Sequence, residues 1–203
     1  MRKPAFGAKP AVLRCARCGR GVDWADARLQ AVCGCRPHLG LPPVFVRQAA
    51  PEDRASTEAI FRRDFGRTAL VAFGTCLQVE DYPAIIAELK GEVAGALAYR
   101  LLPDALHIVA VATDPLWQRS GVASALLSEA EILAARHGLR RLVTVTTNDN
   151  LPSLYFYQRL GWAITEVVPG AMLPHVAPAS GIGFAGIPVR DEVRLAKDLR
   201  DVA

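Results

Sequence analysis

Three apolar runs follow one another in the middle of the chain: Ala84–Lys90, Val93–Leu101 and Leu106–Thr113. Only Gly91-Glu92 and Pro103-Asp104 interrupt them, so the connections are too short for anything but antiparallel turns, and the pattern predicts a three-stranded meander. Upstream, Val44–Val46 is a short strand-like run. Pro51-Glu52-Asp53 then opens a helix, with proline and two acids in its first turn. Ile60, Phe61 and Phe65 give that helix, expected to reach about Arg63, its apolar side. Residues 66–82 show no clear period and read as helical turns around apolar runs. After the meander the spacing changes. Leu126, Ala130, Leu133 and Ala134 share one side of a helix over Gly121–His137, with Gly138 placed to end it. A strand follows at Arg141–Thr147. Next comes a short helix at Asn150–Leu160, with Pro152 in its first turn and Gly161 just past its end, and then a strand at Trp162–Val168. The order β-α-β-β-β-α-β-α-β predicts an α/β fold, a mixed and mostly antiparallel sheet flanked by helices. No internal repeat is present.

Composition fits that picture. The 203 residues are 51% hydrophobic and 22% charged, which excludes a disordered chain and suits one α/β domain with a small appendage. No apolar run approaches the roughly 20 residues of a membrane span. Met1 to Arg14 contain Arg2, Lys3 and Lys9 but no apolar core of a secretory signal, so no membrane partner and a cytoplasmic location are expected.

Cysteine and charge both concentrate at the N-terminus. Cys15, Cys18, Cys33 and Cys35 form a C-x2-C and C-x-C pair in a reduced compartment, where clustered thiols read as a metal site rather than disulfides. Four thiolates would close a tetrahedral Zn²⁺ site, which is structural, and His38 could take the place of one cysteine. The metal would supply the folding energy that so short a segment cannot draw from a core. Residues 1–40 are therefore expected to form a small zinc-ribbon-like module. Leu39-Gly40-Leu41-Pro42-Pro43 follows as a stiff linker, and the main domain spans 44–203. The module holds eight basic residues against two acidic ones, while the remainder is slightly acidic. That charge fits contact with RNA, DNA or an acidic protein, or it simply keeps the module soluble. A role in homodimerisation is a further reading. The fifth cysteine, Cys76, lies in the apolar run Leu70–Leu77 and is expected in the core.

Two segments carry chemistry. Gln118-Arg119-Ser120-Gly121-Val122-Ala123 falls between a strand and a helix. A glycine turn entering a helix presents backbone N–H groups and the positive end of the helix dipole, a site for a pyrophosphate, to which Arg119 can add charge. The second segment is Asn150 to Trp162, NLPSLYFYQRLGW.

Together these segments resemble the GNAT N-acetyltransferase superfamily. The first is similar to its Q/R-x-x-G-x-G/A signature, and the second to its acetyl-CoA-binding segment, with Tyr157, Gly161 and Trp162 in the Y-x-x-x-G-F places. The resemblance covers roughly residues 44–169 and leaves out the Cys-rich module. Thr146–Asn150 (TTNDN) and the tail Gly186–Leu199 look like a bacterial subgroup of the superfamily. The resemblance implies a GNAT-type sheet and direct acetyl transfer from acetyl-CoA to an amine acceptor whose identity stays open. It places Tyr157 near the thioester sulfur as the acid that protonates the departing thiolate. It also implies that the strand holding Val109–Ala112 splays from its neighbour, freeing the N–H of Val111 or Ala112 for the thioester carbonyl. Asn150 either caps its helix or binds the pantetheine arm. His107, eleven residues before Gln118, is the first candidate for the base that deprotonates the amine; Asp114, Glu80 and Glu88 are alternatives. The rival function is a domain that senses acyl-CoA without catalysis, attached to a nucleic-acid- or protein-binding module. Ala171–Ile187 is either a wall of the acceptor site or a mobile loop.

Overall fold

The structure, a computed structural model, describes residues 44–176 and 181–199, together with two short paired strands near the N-terminus. These are β1 (Leu13–Arg14) and β2 (Gly21–Val22), antiparallel with Leu13 opposite Val22. Cys15, Cys18, Cys33, Cys35 and His38 lie outside the described residues.

The main domain runs β3 (Phe45–Gln48), α1 (Arg54–Phe65), β4 (Ala69–Ala72), β5 (Thr75–Gln78), β6 (Ala84–Leu89), β7 (Glu92–Leu101) and β8 (Leu106–Thr113). It continues through α2 (Val122–Arg136), β9 (Arg141–Thr147), α3 (Leu151–Arg159), β10 (Ala163–Val168) and β11 (Glu192–Asp198). Seven strands form one sheet in the order β10-β11-β9-β8-β7-β6-β3. Only β8 and β9 pair in parallel.

Two cores lie on the two faces of this sheet. On one face α2 and α3 cover Ile85, Leu97, Leu106, Ile108, Leu142 and Leu195. On the other, α1 sets Ile60 and Phe61 against Ile86, Ala96, Ala98, Val109 and Ala112. The central strands are buried on both faces, so their apolar residues run on rather than alternate with polar ones, as in a sheet covered by helices on both sides. Gly95 lets α2 come close. A Cβ there would lie 2.5 Å from Val122 Cγ1 and 2.9 Å from the Ala112 carbonyl oxygen.

Three expectations change. Residues 69–78 form a β-hairpin, β4–β5, and only Val79–Asp81 make a helical turn. Its two-residue turn is Phe73-Gly74, with φ of 55° and 69°. Both values are positive, as a tight hairpin turn requires, but phenylalanine gives no turn signal in a sequence. Cys76 is exposed, because it alternates outward on β5 while Leu77 points inward. The tail forms β11, which inserts between β9 and β10. Its charges obscured a strand that alternates Val193 and Leu195 inward. Ion pairs tie those charges down: Arg194 to Glu192 and Glu166, and Lys197 to Glu131.

Ala171–Ile187 is described except for residues 177–180. Met172 N donates to Arg190 O, Phe184 N donates to Asp149 Oδ2, and Val189 N donates to Gly181 O. The segment is thereby fastened to the Asn148-Asp149 corner.

Candidate active site

The parallel pairing of β8 and β9 spans only three rungs: Leu106–Leu142, His107–Val143 and Ile108–Thr144. Beyond them β8 stays in register with β7 as far as Thr113, and β9 stays in register with β11 as far as Thr147. The two strands therefore diverge from Ile108 and Thr144, and a fork opens in the middle of the sheet. A register shift at Ala98/Tyr99 inserts an extra residue, Val109, where the divergence begins. Such a bulge bends its strand. At the far end Asp114 N donates to Ala94 O at 2.9 Å. Alternation along the antiparallel ladder then turns the Ala112 amide towards β7 and the Val111 amide away from it, into the fork.

The end of β8 leads into the loop before α2. Asp114 Oδ1 accepts from Leu116 N, and its Oδ2 accepts from Arg63 Nη1 of α1. This ties the loop to the opposite face of the sheet. Arg119 has φ of 60° and Gly121 has φ of 87°. Ser120 is buried and its hydroxyl donates to Trp117 O. Gly121 occupies the N-cap of α2 and brings no capping side chain. The first-turn amides of Val122, Ala123 and Ser124 have no acceptor within the helix, so this end is open to an anion. Gln118 and Arg119 are exposed beside it.

Tyr157, on α3, points back to the vertex of the fork. It is 6% exposed and packs edge-on against Trp162, with ring centroids 5.3 Å apart. Burial pushes its phenol above the ordinary range, and the neighbouring Thr144 hydroxyl partly offsets that. The same hydroxyl donates to Ile108 O at 3.4 Å, across the last paired rung. Tyr157 is therefore protonated throughout the neutral range. Asn150 caps α3, its Oδ1 accepting from Ser153 N at 3.2 Å.

On the opposite face, His107 stacks on Phe73 of the β4–β5 turn, with centroids 4.6 Å apart. The Arg100 guanidinium lies 4.9 Å from the centre of the Phe73 ring, and its Nη2 is 3.4 Å from His107 Nδ1. A guanidinium only donates, so Nδ1 is the acceptor and Nε2 carries the ring proton. Burial holds the His107 pKa below its usual value. The charge of Arg100 lowers it further, Asp104 raises it in part, and Arg194 lowers it again. On the other side of the turn, Gly74 N donates to Glu192 Oε2 at 3.0 Å, and Arg194 Nε donates to Glu192 Oε1 at 2.8 Å. The hairpin tip thus reaches from His107 on β8 to Glu192 on β11, across the fork.

The sequence profile of the acetyltransferase (GNAT) family matches residues 49–162. The chain belongs to that family. It is 26% identical over 159 residues to the Bacillus subtilis (strain 168) protein YxbD, covering 74% of this chain and 94% of that protein. Among solved structures it resembles an IAA acetyltransferase from Bacillus cereus ATCC 14579, with a TM-score of 0.60, 23% identity, and coverage of 77% of this chain and 100% of that one. It also resembles a GNAT family acetyltransferase from Elizabethkingia anophelis with acetyl-CoA bound, with a TM-score of 0.59, 19% identity, and coverage of 77% and 98%.

Within this GNAT domain, Val111, the Gln118–Ala123 loop, Asn150 and Tyr157 lie on the α2–α3 side of the fork, whereas Ala112 packs in the core on the α1 side with its amide turned to β7. His107 lies one residue before the vertex, on the other face. Two of the alternative acids are engaged elsewhere. Asp114 holds the loop, and Glu88 pairs with Arg47 on the β3 side of the sheet. Glu80 Oε1 accepts from Thr68 Oγ1, while its Oε2 is buried without a hydrogen-bond partner. Sequence reading missed Thr144, Phe73, Arg100 and Glu192. The first three stand in strands or a turn without a motif, and nothing local in the chain brings them together. Asn148, within the noted TTNDN stretch, accepts through Oδ1 from Arg190 N and Asp191 N, and donates through Nδ2 to Pro188 O. It thereby fixes the start of β11 and the position of Glu192. No helix among the described residues is long and apolar enough to cross a membrane.

Proposed function

We propose that the protein transfers an acetyl group from acetyl-CoA directly to an amine, without a covalent enzyme intermediate. The observation that carries this reading is the fork between β8 and β9 with the protonated Tyr157 phenol at its vertex. The amides at the start of α2 and Arg119 hold the pyrophosphate. The pantetheine arm enters the fork, where the Nδ2 group of Asn150 donates to it. The Val111 amide polarises the thioester carbonyl, as its direction favours it over Ala112. His107, neutral near pH 7, takes the proton of the incoming ammonium, and the free amine attacks the carbonyl carbon. As the C–S bond breaks, Tyr157 donates its proton to the thiolate, and the second proton of the attacking nitrogen leaves to restore the phenol, giving CoA and the amide.

The acetyl-CoA-bound relative supports the choice of donor. Titration of acetyl-CoA into the full-length protein, with CoA as comparison, tests the reading. Micromolar binding followed by acceptor-dependent thiol release is expected. Binding without thiol release would leave the rival reading, a domain that senses acyl-CoA; absence of binding would leave only the basic N-terminal module as a place for function.

The N-terminal segment is proposed as a structural zinc module with Cys15, Cys18, Cys33 and Cys35 as ligands. The pairing of β1 with β2, which flank Cys15 and Cys18 in the sequence, supports it. Its excess of basic residues suits targeting to RNA, DNA or an acidic protein. Less than about half a zinc per chain under reducing conditions removes the proposal.

A further inference from the structure

Arg100 is a guanidinium on the acceptor face that lacks a carboxylate. Arg47, Arg63, Arg141, Arg190 and Arg194 each have one within 4.0 Å, whereas among the described residues Arg100 contacts only the Phe73 ring and His107 Nδ1. Its Nε is buried with no hydrogen-bond partner. A buried, unpaired donor on a cation is costly unless something completes it. Its place is specific: Arg100 is the register partner of His107, one rung before the fork. The other charged groups facing this spot are Arg194, already engaged by Glu192 and Glu166, and the exposed Asp104 at the β7–β8 turn. The acceptor face next to the reacting amine therefore carries one guanidinium, Arg100, with no carboxylate partner.

We infer that Arg100 binds an anionic group on the acceptor, so that the substrate class is a small amine bearing a carboxylate or phosphonate close to the amino group. This rests on the acetyl-transfer reading. A free guanidinium forms paired N–H···O bonds with such an anion, and its Nε, now without a partner, is one of the two donors a bidentate pair uses. The Phe73 ring lies under this planar set of donors. Binding also has a consequence for proton transfer. Arg100 now donates to His107 Nδ1; when an anion draws the guanidinium away, that lone pair becomes free to accept the ammonium proton. An acceptor without the anion leaves Arg100 on Nδ1 and the base occupied.

The experiment uses the full-length protein and a thiol-release assay with acetyl-CoA. Acceptors are matched pairs: L-amino acids against their amides, and aminomethylphosphonate against methylamine. The anionic member of a pair is expected to have kcat/KM roughly tenfold to a hundredfold higher. Arg100→Gln should collapse that ratio towards one, and Arg100→Lys should restore part of it. Acetyl-CoA affinity, measured by titration on each variant, reports whether the fold and donor site are intact. A preference for the neutral amines, or a ratio that survives Arg100→Gln, overturns the inference. A protein that binds no acetyl-CoA instead fails the acetyl-transfer reading. In that case the Arg100 site is judged by the His107 imidazole NMR titration: glycine should raise its pKa where glycinamide does not, and equal titration in both sinks the inference.

Discussion

Thr144 and Ile108 form the last rung shared by β8 and β9, and the Thr144 hydroxyl closes it by donating to the Ile108 carbonyl. Tyr157 rests beside this hydroxyl, so the vertex of the fork and the acid are fixed by the same contact. Removing only the phenol oxygen, with Tyr157→Phe, should lower kcat by about 10²- to 10⁴-fold while leaving acetyl-CoA affinity nearly unchanged. Single-turnover kinetics beside calorimetric titration separate the two effects. An unchanged kcat would remove Tyr157 from the chemistry.

His107 gives a pH dependence with a definite sign. Its pKa is held below the ordinary 6.5 by burial and by Arg100, so the neutral form that accepts a proton persists below that pH. The rate should therefore stay level as pH falls through 6.5 and decline only at lower values. In His107→Gln the acidic limb should disappear and kcat should fall at all pH values. A wild-type limb centred above 6.5, or one that survives the substitution, contradicts this role.

Glu192 is 1% exposed and holds both Gly74 and Arg194. Glu192→Ala leaves the Gly74 amide without its acceptor and Arg194 held by Glu166 alone, at a cost of about 1–2 kcal/mol in unfolding free energy. Glu192→Gln keeps an oxygen for Gly74 N and should lose less. Urea unfolding of both variants measures the difference. Equal losses would mean that the charge matters and the hairpin contact does not.

Gly95 tests the seat of the proposed donor site. In Gly95→Ala the new methyl meets Val122 in the first turn of α2 and the Ala112 carbonyl in β8. Overpacking of this kind costs typically about 1–3 kcal/mol. Because the helix N-terminus must shift, acetyl-CoA affinity should fall together with the melting temperature. Loss of stability with full affinity would show that the helix start is not the pyrophosphate seat.

Much of the fold was legible because local signals agreed with tertiary packing. The meander β6–β7–β8, the helices α2 and α3 and strand β9 stand where periodicity, Gly138, Pro152 and Gly161 put them. Each of these signals acts within a few residues of the chain. The Gln118–Ala123 loop and the Asn150–Trp162 segment were readable for the same reason, since an anion-binding turn and a helix start are local devices. The 69–78 hairpin was not readable, because its turn places a phenylalanine at positive φ, held by stacking on His107 rather than by intrinsic preference. Strand β11 was hidden because Glu192, Arg194 and Lys197 look like a solvated surface until Glu166 and Glu131 neutralise them from other elements.

By itself, then, the sequence determined the meander, the three helices, strand β9 and the two motifs of the family, all set by short-range geometry and hydrophobic period. Tertiary structure alone decided where β8 and β9 part, which amide faces the gap, and that Phe73, Arg100, His107 and Glu192 meet over it. Those contacts join residues far apart in the chain, and they exist only because burial on both sheet faces holds seven strands in one register.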